Sequence, residues 1–180
     1  MRVERYGCCL NGHELILRNP EEEDAAMLLE GLKIMCGETR NLLKEPDEIR
    51  FTLEEEQNFI QSMNHSRRNL MLLGMYNGEY VGNCSLMGMA PMRQQHRGTL
   101  GIALYQKYTG MGIGTIMLKQ LLSHGREMGL EQVELEVVAE NKRAIALYQK
   151  MGFQIYGEFP NNMKYQDGSC ANAYWMMKRL

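Results

Sequence analysis

The chain lacks most of the features that mark specialised proteins. It has four prolines and one tryptophan in 180 residues, and no internal repeat, low-complexity tract or linker divides it. Disordered, collagen-like and disulfide-miniature classes are thereby excluded. No apolar run reaches the roughly 18 residues that a membrane-spanning helix needs. The basic start, MRVERYGCCLNGHELILR, leads into no apolar stretch of signal-peptide length. A membrane partner is not expected. Excess charge is missing as well: 20 Lys and Arg against 22 Asp and Glu leave −2, with no long basic stretch, so neither nucleic acid nor an anionic surface is implied as a bulk electrostatic partner. The five cysteines, Cys8, Cys9, Cys36, Cys84 and Cys170, are odd in number and show no CxxC spacing. They read as reduced thiols of a cytoplasmic protein, without a disulfide framework and with no metal site.

What remains is 44% hydrophobic and 23% charged residues, enough for one layered core that buries about 70% of the unfolded chain's surface. The expectation is a single domain over residues 1–180, with a core from about 13 to 180 and residues 1–12 as an N-terminal extension. The sixteen methionines fit as adaptable core filler.

Hydrophobic periodicity orders the elements. His13–Arg18 reads as a strand, and Pro20 with Glu21 to Asp24 announces a helix carrying Ala25, Leu28, Leu29 and Leu32. Residues 36–50 read as a loop with a short helix. Thr52 and Glu55 form a capping box for a helix to about Asn64, with Phe59, Ile60 and Met63 on its apolar face. NLMLLGMY and EYVGNCSLMGM flank Asn77-Gly78, the dipeptide that best supplies the two positive φ angles of a tight hairpin. A strand at 98–106, a helix at 112–128 and an alternating strand at 131–138 follow. In the last, Val133, Leu135 and Val137 share a face. A helix spans 141–151, capped by Asn141 and ended by Gly152. Strands at 153–159 and 171–178 close the chain. This order gives an α/β domain: a mixed, mostly antiparallel sheet of about seven strands flanked by about four helices.

The segment with chemical content is LGIALYQKYTGMGIGTIML, residues 100–118: a strand, a turn with Gly110, Gly112 and Gly114 at alternate positions, and an amphipathic helix. Glycines there let a backbone approach an anion closely, with first-turn N–H groups and the helix dipole aimed at it. The same glycines also serve a plain tight turn. A P-loop is excluded because the nearby lysine, Lys119, lies inside the helix. A dinucleotide fingerprint fits poorly: its third glycine falls on Thr115, and Glu131 begins its strand instead of ending it.

TGMGIGTIML followed about thirty residues later by NKRAIALYQKMGF resembles the two signature blocks of the GCN5-related N-acetyltransferase (GNAT) superfamily. The first, [Q/R]xxGxG/A, is matched by Thr109-Gly110-Met111-Gly112-Ile113-Gly114, except that Thr109 replaces Arg or Gln. The second, NxxAxxLYxKxGF, is met at Asn141, Ala144, Leu147, Tyr148, Lys150, Gly152 and Phe153. More loosely, the element order of residues 13–180 is also that family's order.

The resemblance implies acetyl transfer from acetyl-CoA to a primary amine by direct attack in a ternary complex. Main-chain donors from Gly110 and Met111 through Ile113 to Thr115 would hold the pyrophosphate, more weakly for want of the Thr109 contact. The pantetheine would lie along the strand ending at Leu104 and Tyr105, with a backbone N–H near Leu104 as oxyanion donor. Tyr148 would be the general acid toward the departing sulfur, and Asn141 both N-cap and coenzyme contact beside Ala144. Glu136 is the first candidate for the base, with Glu79, His96 and Glu140 behind it. Neither block contains a cysteine, so no covalent enzyme intermediate is expected. The acceptor, a small-molecule or protein amine, would sit among the first helices, the loop 36–50 and the segment 159–170. A non-catalytic acyl-CoA-binding module is the alternative. The C-terminal strand NAYWMMKRL, read as an apolar edge, makes a homodimer plausible.

Overall fold

A computed structural model describes residues 1–180. The strands are β1 (Tyr6–Leu10), β2 (His13–Arg18), β3 (Asn69–Tyr76), β4 (Glu79–Gly88), β5 (Arg97–Leu104), β6 (Gln132–Val138), β7 (Gln154–Lys164) and β8 (Cys170–Arg179). The helices are α1 (Ala25–Glu38), α2 (Leu53–His65), α3 (Ile113–Glu127) and α4 (Lys142–Lys150). One eight-stranded sheet runs β1-β2-β3-β4-β5-β6-β8-β7, and β5–β6 is its parallel pair. No helix is long and apolar enough to cross a membrane.

Two tight turns build the antiparallel half. Asn77 and Gly78 have φ of 51° and 81°, as the two central positions of a type I′ hairpin require. Asn11 and Gly12 repeat the arrangement at 52° and 82°. Residues 1–12 are therefore not an extension outside the core: β1 pairs with β2 from Tyr6↔Leu17 to Leu10↔His13 and forms the sheet's edge.

Helices cover the sheet on two faces. Met71 and Leu73 join Ala25, Leu28, Ile60 and Met63 in the smaller cluster under α1 and α2. Their neighbours Leu70 and Leu72 point the other way, into the larger cluster with Met117, Leu121, Val133, Leu135, Tyr148 and Phe153. The Thr52 box forms as expected, with Glu55 N donating to Thr52 Oγ1 at 3.2 Å and Thr52 N to Glu55 Oε2 at 2.8 Å. Phe59 is exposed, because α2 packs through Ile60, Met63 and Asn64. On α1 the buried stripe passes through Gly31, where an added Cβ would lie 2.7 Å from the Tyr80 ring, and Leu29 and Leu32 stay half-buried.

The open face of β6, β8 and β7 carries a stack of Tyr156, Trp175 and Phe159, with centroids 6.3 and 5.7 Å from Trp175. The topology removes the basis for the expected dimer edge, since β8 lies between β6 and β7 and the outer strand is β7. That strand reaches Lys164 through Pro160, which an edge strand tolerates.

On the same face Arg97 and Glu134 clamp the parallel pair with a two-bond ion pair at 2.5 and 2.6 Å, and Gln132 Nε2 adds a third bond at 2.7 Å. The Arg97 guanidinium holds the Glu134 carboxyl below the usual carboxylate range. A depressed native pKa contributes stability that is complete above the unfolded value and lost as pH falls through the native one. Wild-type stability should therefore drop as pH falls below about 4.3, the unperturbed Glu value. Glu134→Gln should flatten that slope and cost about 2 kcal/mol at pH 7; urea titrations at several pH values would measure both, and equal slopes would refute the assignment.

Candidate active site

The turn before α3 is a row of unused donors. Gly112, at φ 94°, starts the helix, and the first helical bond is Ile116 N to Gly112 O at 3.2 Å. The main-chain N–H groups from Gly110 to Thr115 donate to nothing in the protein. Such a row at a helix N-terminus fits an anion, as the glycine spacing predicts. Gly114 has a separate reason to be small: an added Cβ would lie 3.2 Å from Leu147 on α4 and 3.6 Å from Leu104 on β5. Behind the turn, Asn11 Nδ2 donates to Met111 O at 3.2 Å, and Leu10 lies 3.7 Å from where a Gly112 Cβ would be. The β1–β2 hairpin thus buttresses the cradle, a role that the expected extension could not have.

Beside the cradle the sheet opens. β5 and β6 pair only from Arg97↔Gln132 to Thr99↔Glu134, while β5 stays paired with β4 as far as Gly82↔Leu104. Tyr105 N donates to Val81 O at 3.0 Å and Met89 N to Arg97 O at 2.9 Å, so odd-numbered residues of β5 turn their polar groups toward β4. By the two-residue alternation of a strand, the N–H groups of Leu100, Ile102 and Leu104 face the gap. Leu104 is thus oriented for the expected oxyanion role. Tyr105 is not available for the pantetheine through its main chain, since its N–H is taken by Val81 and its carbonyl accepts Tyr108 N at 3.0 Å. The N–H of Ile102, by contrast, faces the gap, which only the pairing pattern reveals.

Tyr148 projects from α4 into the larger core cluster, edge-on to Phe153 at 5.9 Å, and its hydroxyl has no partner in the chain. Burial pushes its pKa up to about 12. Asn141 caps α4 by accepting Ala144 N at 3.2 Å.

Glu136 faces the open side of β6. Asn162 Nδ2 donates to its Oε1 at 2.6 Å and Trp175 Nε1 to its Oε2 at 3.1 Å, so β7 and β8 fix its orientation. The weaker base candidates lie elsewhere. Glu79 is bound by Tyr108 Oη at 2.5 Å and by Lys107, which hold its carboxyl below the ordinary range. His96 precedes β5, at the end opposite Leu104, and its carbonyl serves Glu131 and Gln132. Glu140 follows β6 on the turn into α4.

The expected acceptor region forms a cleft of about 820 Å³ between the loop after α1 and the β7–β8 hairpin, its lining including Glu38, Arg40, Glu45, Glu48, Asn162 and Tyr165. Arg40 joins its walls: the guanidinium stacks on Tyr165 at 3.8 Å and bonds Asp167 and Ser169 at 3.0 Å each. Glu38 links the cleft to the end of β5 by accepting Gln106 N at 2.7 Å. Asn162, shared by the cleft and Glu136, ties the cleft to β6.

A mixed sheet that splays at its parallel pair, with a glycine-rich donor row at the foot of the splay, is the architecture of an N-acetyltransferase fold. Residues 37–153 match the acetyltransferase (GNAT) family, and the chain belongs to that family. The solved structure of a GNAT-family acetyltransferase from Streptococcus pneumoniae superposes with a TM-score of 0.88 at 29% identity, covering 92% of this chain and 99% of that one. The Salmonella typhimurium yncA structure, which contains its cofactor acetyl-CoA, has the same fold at TM-score 0.81 and 16% identity, covering 92% and 94%. Among curated relatives, the L-amino acid N-acetyltransferase AaaT of Escherichia coli is 24% identical over 110 residues, 59% of this chain and 66% of that protein. The matched stretches span roughly a third to two thirds of the curated relatives, from 32% to 66% for the first three.

Proposed function

We propose that the chain transfers an acetyl group from acetyl-CoA to the primary amine of a small molecule, by direct attack in a ternary complex. One observation carries the reading. The unpaired N–H groups of Gly110–Thr115 and the unpaired β5 edge at Ile102 and Leu104 lie on one continuous stretch of chain, so a single ligand with a diphosphate at one end and amides along its length satisfies both. Acetyl-CoA supplies an activated thioester carbonyl as the electrophile.

The protein's residues divide the remaining work. The Leu104 N–H is the donor for the oxygen that gains charge as the amine attacks, a contact whose loss typically costs about 3 kcal/mol of barrier. Tyr148, neutral far above physiological pH, gives its hydroxyl proton toward the leaving sulfur. Glu136, oriented by Asn162 and Trp175, is the proton acceptor for the amine. The cleft favours a small acceptor. It is a bounded cleft of about 820 Å³ whose lining sets Glu38, Glu45 and Glu48 against Arg40, Lys44 and Lys164, a mixed-charge surface suited to one compact molecule with both polar signs. AaaT, an amino-acid acetyltransferase, is consistent with an acceptor of that size.

The test is a panel of amino acids, polyamines and N-terminal peptides incubated with acetyl-CoA while thiol release is followed. Saturable release is expected with small primary amines and little with peptides. Turnover of peptides alone would overturn the small-acceptor reading. A coenzyme-induced rise in melting temperature without any turnover would favour the non-catalytic module.

A further inference from the structure

The coenzyme-binding motif of this chain has lost a side chain, and the fold supplies another. Thr109 occupies the position where the family's first block carries Arg or Gln, and its hydroxyl is too short and too weakly polar to replace either. Its Oγ1 donates to Gln106 O at 2.8 Å and accepts from Nη1 of Arg143, which reaches across from the first turn of α4. Arg143 is exposed and pairs with no carboxylate. Its guanidinium carries five N–H donors in a planar fork, and the Thr109 contact uses one of them. Lys142, the neighbouring cation, is turned away: its Nζ donates to Ala139 O at 3.1 Å.

We propose that Arg143 is the cation that holds the coenzyme's diphosphate, with Thr109 as the peg that orients it. The argument is local electrostatics. The free N–H groups of Gly110–Thr115 offer an anion partial charges only. A guanidinium anchored to the residue before that row adds a full charge and a bidentate fork suited to phosphate oxygens. The second block, NxxAxxLYxKxGF, specifies no residue at position 143, so the motif gives no sign of Arg143.

The inference rests on the acetyl-CoA reading, and calorimetry separates the two. The ligands are coenzyme A, dephospho-coenzyme A and pantetheine; the proteins are wild type, Arg143→Ala, and Arg143→Ala combined with Thr109→Arg. Arg143→Ala should weaken coenzyme A and dephospho-coenzyme A alike by about 10- to 100-fold and leave pantetheine unchanged. Thr109→Arg should restore most of that loss by returning the cation to its usual position. Because Arg143 is exposed, the melting temperature of the variant should match wild type. Wild type that binds no coenzyme A would end the coenzyme reading itself. Equal affinity of wild type and Arg143→Ala for coenzyme A would overturn the role of Arg143 alone. So would a loss seen with coenzyme A but not with dephospho-coenzyme A, which would move Arg143 to the ribose phosphate.

Discussion

Tyr148→Phe should lower kcat by about 10²-fold and leave the dissociation constant for coenzyme A unchanged. The expected size follows from comparing two acids. The buried phenol has its pKa pushed up to about 12, whereas a thiol leaves as an anion of pKa about 8.5, so complete transfer of the proton to a free thiolate runs uphill. The useful contribution is a hydrogen bond that strengthens as charge reaches the sulfur, and its loss slows the reaction without abolishing it. A raised phenol pKa also fixes the pH response: Tyr148 stays protonated below about pH 11, so the wild-type and Phe profiles should run parallel up to pH 10. Steady-state kinetics with acetyl-CoA, beside calorimetry with coenzyme A, would check this. An unchanged kcat would remove Tyr148 from the chemistry, and a weakened coenzyme affinity would make it a packing residue. Phe should be tolerated, since the ring's contacts with Phe153 do not involve the hydroxyl.

The parts of this site governed by nearby residues were legible in the sequence. The glycine turn with its free N–H groups at Gly110–Thr115 and the Asn141 cap depend on rules that act over three or four positions, and both form where the spacing puts them. The opening between β5 and β6 required the resemblance, because pairing partners lie far apart in the chain. Which amides of β5 face the opening required the structure: the parity set by Tyr105 N and Arg97 O turns the N–H of Ile102, and not that of Tyr105, toward it. The β1 hairpin escaped for a different reason. Asn11-Gly12 carries the same turn signal as Asn77-Gly78, but YGCCL is short and weakly apolar, so its flanking strand did not register as one. Contacts such as Arg40 on Tyr165 and Arg143 on Thr109 join residues far apart in the chain, and no local pattern encodes them.

A bulge in β4 was also invisible in the sequence, and it accounts for the second large effect. β3 pairs Gly74 with Gly82 but Met75 with Tyr80, so Val81 is an extra residue without a β3 partner. Its carbonyl accepts Tyr105 N, and this bond ends β5 beside the gap. Bulges commonly redirect a strand next to a site. Gly82 makes this one possible: its φ is 140°, and an added Cβ would lie 2.2 Å from Ala103 O and 2.7 Å from Leu104 Cα. Both contacts are main chain, so no rotamer change relieves them. Gly82→Ala should therefore cost on the order of 3 kcal/mol, from backbone strain plus displacement of β5. For a chain of this length that is a fall in melting temperature of roughly 10 °C. Because the displaced residues include Leu104, coenzyme affinity and kcat should fall with stability, even at temperatures where the variant remains folded. Gly7→Ala is the control, since nothing lies within 4 Å of its added Cβ, and it should be neutral in both respects. Calorimetric melting and coenzyme titration of the two variants would decide the matter; a Gly82→Ala protein that melts and binds like wild type would show that the bulge does not hold the end of β5 in place.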